Sequence, residues 1–183
     1  MTDQPFTLRP ILLEPEINKR TAEIADRIAG ECPREEIVTV GLLKGSFMFM
    51  ADMVRLLHLR DVRLQVDFLS VSSYGSGTQP GRLAFTRDIT TDIRGRWVLV
   101  MDDILDTGHT MHFVKDHLQK LKPATLKICV FLDKPGRRKV EFSADYVGFT
   151  VPDKFVVGYG LDYDNRFREL PYIAAVEFQA EGL

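Results

Sequence analysis

Residues Val98–Met111 read Val-Leu-Val-Met-Asp-Asp-Ile-Leu-Asp-Thr-Gly-His-Thr-Met, and few folds accommodate that order. Trp97–Met101 is a short continuous apolar run, the pattern of a central parallel strand buried on both faces. Asp102 and Asp103 follow at its C-terminal end, where ligands bind in open α/β sheets. A small-residue turn comes next, and Thr107–Leu121 reads as a helix closed by Lys122-Pro123. The first backbone N–H groups of such a helix lack partners and converge on an anion, while the hydroxyls of Thr107 and Thr110 can donate to a phosphate. An acidic pair beside a phosphate suits two tasks: accepting hydrogen bonds from sugar hydroxyls, and holding Mg²⁺ directly or through water.

The rest of the chain supplies strands and helices in alternation. Glu14–Glu31 carries apolar residues at helical spacing through Ile17, Thr21/Ala22, Ile24/Ala25 and Ile28, with Pro15 in its first turn. Glu36–Gly41 reads as a buried strand, Ser46–Leu59 as an apolar helix and Val62–Val71 as a second strand. Gly75–Arg82 holds too many glycines and prolines for a regular element and reads as a mobile loop. Thr125–Leu132, Phe155–Val157 and Tyr172–Phe178 read as further strands. The alternation predicts an α/β fold with a parallel sheet covered on both faces.

Composition narrows the class. With 183 residues there is room for one α/β domain, or a domain with a small appendage. A 45% hydrophobic and 27% charged chain is that of an ordinary globular protein. A net charge of −2 gives no electrostatic reason to expect a nucleic-acid partner; Arg137, Arg138 and Lys139 are a local basic cluster only. Cys32 and Cys129 form neither a disulfide framework nor a metal set, and Cys129, inside an apolar run, reads as a buried thiol. The opening residues lack the pattern of a secretory leader, and the apolar runs are strand-length, too short for a bilayer. A cytoplasmic location without membrane contact is therefore expected.

Each residue singled out also has a plainer reading. Asp106 could simply cap the helix, and Asp102-Asp103 could be a solvated strand end. An acidic pair followed later by Lys134-Pro135 also suggests a phosphorylated receiver domain. That arrangement needs more strand–helix units before the lysine than the single helix and strand present here.

With those residues in view, Asp102-Asp103-Ile104-Leu105-Asp106-Thr107-Gly108-His109-Thr110 is similar to the ribose-5-phosphate fingerprint of the type I phosphoribosyltransferases. His109 stands at a position that varies in that family. The resemblance extends over most of the chain. Leu43-Lys44-Gly45 resembles the pyrophosphate loop of hypoxanthine/guanine members, which implies a cis peptide between Leu43 and Lys44. Ser73-Tyr74 resembles the dipeptide of the catalytic lid, which closes over pyrophosphate and excludes water. Lys134 matches the lysine that bonds the purine 6-oxo group and so disfavours adenine. Pro152–Tyr163 is close to the purine-salvage signature, in which Phe155 stacks on the base, the backbone near Val156 reads its edge, and Asp162 helps hold a second Mg²⁺. Arg168 matches an arginine that contacts pyrophosphate.

The resemblance implies one domain over 1–183: a mostly parallel five-stranded core over about 34–146, a hood from about 1–13 and 147–183, and a lid near 73–86. It also implies a Mg²⁺-dependent enzyme, assembled as a homodimer or homotetramer, that joins an oxopurine base to 5-phosphoribosyl 1-pyrophosphate. Asp102, Asp103 and Asp162 would be the metal-binding carboxylates, and Asp106 the general base or electrostatic stabiliser. Two other readings compete. A non-enzymatic sensor of 5-phosphoribosyl 1-pyrophosphate would more often show a basic surface or lack Asp106 and the lid dipeptide. Among enzymes acting on other bases, Lys134 and Phe155–Asp162 disfavour adenine and pyrimidines but not xanthine.

Overall fold

The computed structural model describes residues 5–74 and 82–178. In chain order the elements are β1 (Phe6–Leu12), α1 (Glu14–Glu31), β2 (Ile37–Leu43), α2 (Phe47–His58), β3 (Leu64–Tyr74), β4 (Arg82–Arg87), β5 (Trp97–Leu105), α3 (His109–Lys120), β6 (Thr125–Asp133), β7 (Tyr146–Thr150), β8 (Val156–Val157) and β9 (Ile173–Phe178), with a single 3₁₀ turn at Pro135–Arg137. They form two sheets. The larger is six-stranded in the order β4-β3-β2-β5-β6-β7, and the smaller is β1-β9-β8.

Alternation along the central strands builds two separate cores. Val98 and Val100 of β5, Val38 and Val40 of β2, and Ile128 and Val130 of β6 pack with Met111, Val114 and Leu118 of α3. Leu99, Met101, Cys129 and Phe131 point the other way, into a core closed by Ile17, Ile24 and Ile28 of α1 and Phe49 and Met53 of α2. Cys129 lies fully buried there, and burial pushes its thiol far up. α1 has the bounds its periodicity predicts, and its buried face is Ile17, Thr21, Ile24, Ala25 and Ile28.

Five strands of the main sheet, β3, β2, β5, β6 and β7, run parallel as expected. β4 adds an antiparallel edge by folding back on β3. β7 also corrects the expected core boundary: Val147 pairs with Val130 and Phe149 with Leu132, so the core sheet runs to Thr150 rather than ending near 146. Gly148 permits that pairing, because a Cβ there would lie 2.2 Å from the Phe131 carbonyl oxygen. The small sheet joins the N-terminal segment to the C-terminal one as a hood, with Phe6 packed edge-on against Tyr163 and Phe167 at 5.6 and 5.9 Å. Of the loop expected at Gly75–Arg82, Arg82 begins β4, and residues 75–81, with the centre of the expected lid, lie outside the described residues.

The β3–β4 hairpin is tethered at its base by Asp67. This buried carboxylate accepts hydrogen bonds from the amides of Phe68 (2.7 Å), Thr90 (2.7 Å) and Thr91 (2.9 Å). Burial by itself would raise the carboxyl, but the backbone donors outweigh it and bring it down to about 2. With an ordinary value of about 3.9 in the unfolded chain, the tether contributes its full stability above roughly pH 4 and loses it as pH falls toward 2. Asp67→Asn is expected to cost about 1–3 kcal/mol at pH 7. In chemical denaturation at stepped pH, the gap from the parent protein should close below about pH 4; a gap constant down to pH 2 would refute the assignment.

Candidate active site

The C-terminal ends of the parallel strands surround a cavity of about 360 Å³ lined by Leu42, Leu43, Gly45 and Val71 on one side. On the other it is lined by Asp102 to Gly108, Thr110 and Met111. β5 reaches this point because β6 keeps pairing with it through Leu105, opposite Asp133, whereas its pairing with β2 stops at Met101 and Gly41. The acidic pair therefore lies on a strand supported from one side and open on the other.

α3 starts at His109, with Gly108 as its N-cap at φ +88°. No side chain caps the helix, so Asp106 is not a capping residue and the amides of the first turn are left for a ligand. Glycine is required at 108 by that positive φ and by space, since a Cβ would lie 2.9 Å from Val140 Cγ2. Of the nine fingerprint residues, His109 alone does not border the cavity; its side chain is exposed at the start of α3.

Asp102 is buried, and its Oδ1 accepts from the Asp103 amide at 2.9 Å. Burial and then the neighbouring Asp103 charge push its carboxyl well above the ordinary range. Burial also raises Asp103, although hydrogen bonds from Asp102 and two amides and the charge of Arg168 pull the other way. Such a pair of hard oxygen donors suits Mg²⁺, which commonly takes one or two carboxylates and completes its shell with phosphate and water. Among the described residues Asp162 does not complete a three-carboxylate cluster with them. It is paired with Arg168 Nη2 at 2.7 Å and accepts from the Asn165 amide at 2.8 Å.

The Leu43–Lys44 peptide is cis, as the resemblance implies. Gly45 follows because the Asp103 carboxylate comes so close that a Cβ would lie 1.7 Å from its Oδ2. Lys44 itself is exposed and does not line the cavity. Gly160, at φ +101°, presses on the same loop, where its Cβ would stand 2.0 Å from the Gly45 carbonyl oxygen. Arg168 Nη1 donates to the Gly160 carbonyl at 2.6 Å, so Arg168 sits beside the Leu43–Gly45 turn. Ser73, opposite Leu83, is exposed near the end of β3, and Tyr74 pairs through its backbone with Arg82.

The residues expected to contact a base are tied to the fingerprint loop through Lys134. Lys134 is buried; its amide donates to the Leu105 carbonyl at 3.0 Å and its Nζ to the Lys154 carbonyl at 2.6 Å. Phe155, next to Lys154, is 49% exposed and packs nearly at a right angle to Tyr163, ring centroids 5.6 Å apart. Val156 is buried in β8.

Two arginines that sequence reasoning recorded only as a local basic cluster prove central. Arg138 Nη1 donates to the carbonyls of Leu105 (3.0 Å) and Asp106, its Nη2 to Asp133, and its Nε to the Phe142 carbonyl at 3.2 Å. It staples the fingerprint loop from beneath. Arg137 Nε donates to Asp106 Oδ1 at 3.1 Å. Their one local signal was two arginines directly after the Pro135-Gly136 turn that follows Lys134.

Comparison with known proteins agrees with this geometry. Residues 10–164 match the phosphoribosyl transferase domain family. The chain is 51% identical over 172 residues to the hypoxanthine-guanine phosphoribosyltransferase of Aquifex aeolicus, covering 93% of this chain and 95% of that one. It is 44% identical over 173 residues to the hypoxanthine phosphoribosyltransferase of Escherichia coli K12, with 93% and 96% covered. The crystal structure of a hypoxanthine-guanine phosphoribosyltransferase from Bacillus anthracis superposes with a TM-score of 0.86 at 41% identity, over 94% of this chain and 99% of that one.

The raised carboxyl of Asp102 has a consequence for stability. A carboxyl whose folded value lies above its unfolded value opposes folding once pH exceeds about 4. Asp102→Asn keeps the oxygen that accepts from Asp103 and removes the buried charge, and is expected to stabilise the ligand-free, metal-free chain at pH 7. Thermal melts of both proteins at pH 7 and pH 5 should show this gain and its decrease at the lower pH. Destabilisation at pH 7 would contradict the assignment.

Proposed function

The chain belongs to the phosphoribosyltransferase family, and from its place among the hypoxanthine and hypoxanthine-guanine enzymes we propose that it salvages oxopurine bases. It joins hypoxanthine, guanine or both to the ribosyl group of 5-phosphoribosyl 1-pyrophosphate, giving IMP or GMP and pyrophosphate. The observation that supports this reading is that the Asp102–Thr110 loop and the Leu43–Gly45 turn line one cavity, while Lys134 links the Leu105 carbonyl of that loop to the Lys154 carbonyl beside Phe155.

In this reading the 5-phosphate sits in the Asp106–Thr110 turn, against the free amides of α3 and the Thr107 and Thr110 hydroxyls. Asp102 and Asp103 accept the ribose hydroxyls and would hold Mg²⁺, directly or through water, with Asp162 a second contributor once Arg168 turns to pyrophosphate. When bound, Mg²⁺ shields the pyrophosphate charge and so assists its departure. The pyrophosphate rests on the backbone of Leu43, Lys44 and Gly45, with Ser73 and Tyr74 on the hairpin that would cover it. Phe155 stacks on the purine, the Val156 backbone reads its edge, and Lys134, with two N–H groups beyond the one given to Lys154, donates to the 6-oxo group.

Bond breaking at C1 of the ribose leaves positive charge on the ring in an oxocarbenium-like transition state, as in glycoside chemistry, and the surrounding carboxylates oppose that charge. Asp106 lies on the loop side of the base and takes, or holds by a hydrogen bond, the proton that the purine ring must lose. The chain is placed in the cytoplasm as a homodimer or homotetramer, acting on small molecules rather than on nucleic acid or membranes; no helix among the described residues is long and apolar enough to cross a membrane.

A spectrophotometric assay with 5-phosphoribosyl 1-pyrophosphate, Mg²⁺ and each of hypoxanthine, guanine, xanthine and adenine tests the proposal. Turnover is expected with hypoxanthine or guanine and not with adenine; no turnover with any base would point to a sensor instead. Asp106→Asn should lower kcat by about 10²-fold or more, with a much smaller effect on the KM for 5-phosphoribosyl 1-pyrophosphate. Lys134→Ala should raise the KM for the oxopurine or admit adenine.

A further inference from the structure

The Asp106 side chain is held from outside its own segment. It is not the helix cap, its carboxylate is about one-third exposed, and its main-chain carbonyl is already taken by Arg138. The charged group that holds the carboxylate among the described residues is Arg137, whose Nε donates to Oδ1 at 3.1 Å. The same guanidinium reaches the purine-binding side of the site, with Nη1 3.6 Å from the Asp153 carboxylate in the segment that precedes Phe155.

We propose that Arg137 is a positioning residue for the transfer step: its guanidinium fork sets the orientation of the Asp106 carboxylate toward the base and ties it to the Asp153 segment that carries the stacking aromatic. The inference rests on the reading of Asp106 as the group that meets the purine. Arginine suits the task because its planar fork can engage two carboxylates from different segments at fixed geometry, which a lysine ammonium cannot do in the same way.

The physical argument turns on two scales. An ion pair this exposed contributes little to folding stability, so Arg137 is not needed to keep the chain folded. Transition-state chemistry is far more sensitive to the placement of a reacting group, and displacing a carboxylate by about an ångström can cost on the order of 10²-fold in rate. A residue near-silent in stability can thus be large in kcat. Neighbouring cations do not substitute for it: Lys134 Nζ is given to the Lys154 carbonyl, and Arg138 is spent on carbonyls and Asp133.

A double-mutant cycle reads this directly. The proteins are the parent, Arg137→Met, Asp106→Asn and the double variant, each assayed for kcat and both KM values with its preferred oxopurine. Arg137→Met is expected to lower kcat about tenfold, leave the KM for 5-phosphoribosyl 1-pyrophosphate within about twofold, and leave the melting temperature unchanged. In the Asp106→Asn background it should lower kcat by less than about twofold, because there is no longer a carboxylate to orient. An unchanged or increased kcat in Arg137→Met, or an equal loss in both backgrounds, would overturn the inference and leave the role of Asp106 standing. If Asp106→Asn kept the parent kcat, the Asp106 reading would fall and this inference with it.

Discussion

The register of β5 between its two neighbours is the constraint on which the site depends. β2 pairs with β5 only as far as Gly41 and Met101, while β6 continues alongside it to Asp133 and Leu105. From β2 the chain builds outward to β3, and from β5 it builds the opposite way to β6 and β7, so the direction of sheet growth reverses between β2 and β5. Strand ends separate at such a switch point, and a crevice opens that no element of the sheet can fill. Asp102 and Asp103 fall among the four residues of β5 that follow its last pair with β2. A register one residue different would put Asp102 on the opposite face of the strand.

Within the crevice, charge is paired off by segment. Arg168 is held by Asp162, Arg137 by Asp106, and Arg138 by Asp133 and three carbonyls. Only Asp102 and Asp103 are crowded together without a cation against either carboxylate among the described residues. That imbalance makes the end of β5 the place where a cation or a donating hydroxyl is most favoured.

Much of this was legible because the informative patterns are local. α1 and the β5–α3 unit declare themselves by periodicity and by the small-residue turn between strand and helix. β1, β4 and β7 do not. β1 contains Pro10 and has only one face partly covered, β4 follows a glycine-rich stretch, and β7 is a short edge strand interrupted by Gly148. The tethers were invisible for a different reason. Asp67 meets Thr91 across 24 residues and Arg138 meets Leu105 across 33, and no local spacing encodes a contact formed only when the sheet closes. The placement of Lys134, Phe155 and Asp162 came through family resemblance, since a lysine before Pro-Gly or a phenylalanine before two valines is commonplace alone.

The glycines explain how three distant segments share one crevice. Asp103 lies where a side chain at residue 45 would be, and the Gly45 carbonyl lies where a side chain at residue 160 would be. The end of β5, the Leu43–Gly45 turn and the loop after β8 are therefore stacked in contact, through the Asp103 carboxylate at Gly45 and through backbone alone between Gly45 and Gly160. A displacement of any one is passed to the other two at contact distance. Packing this close has few intermediate arrangements, which fixes Asp103, Leu43–Gly45 and Gly160 relative to one another. The adjustable part of the site is then confined to groups reached through long side chains, namely Arg137 on Asp106, Arg168 on Asp162 and Lys134 on the Lys154 carbonyl.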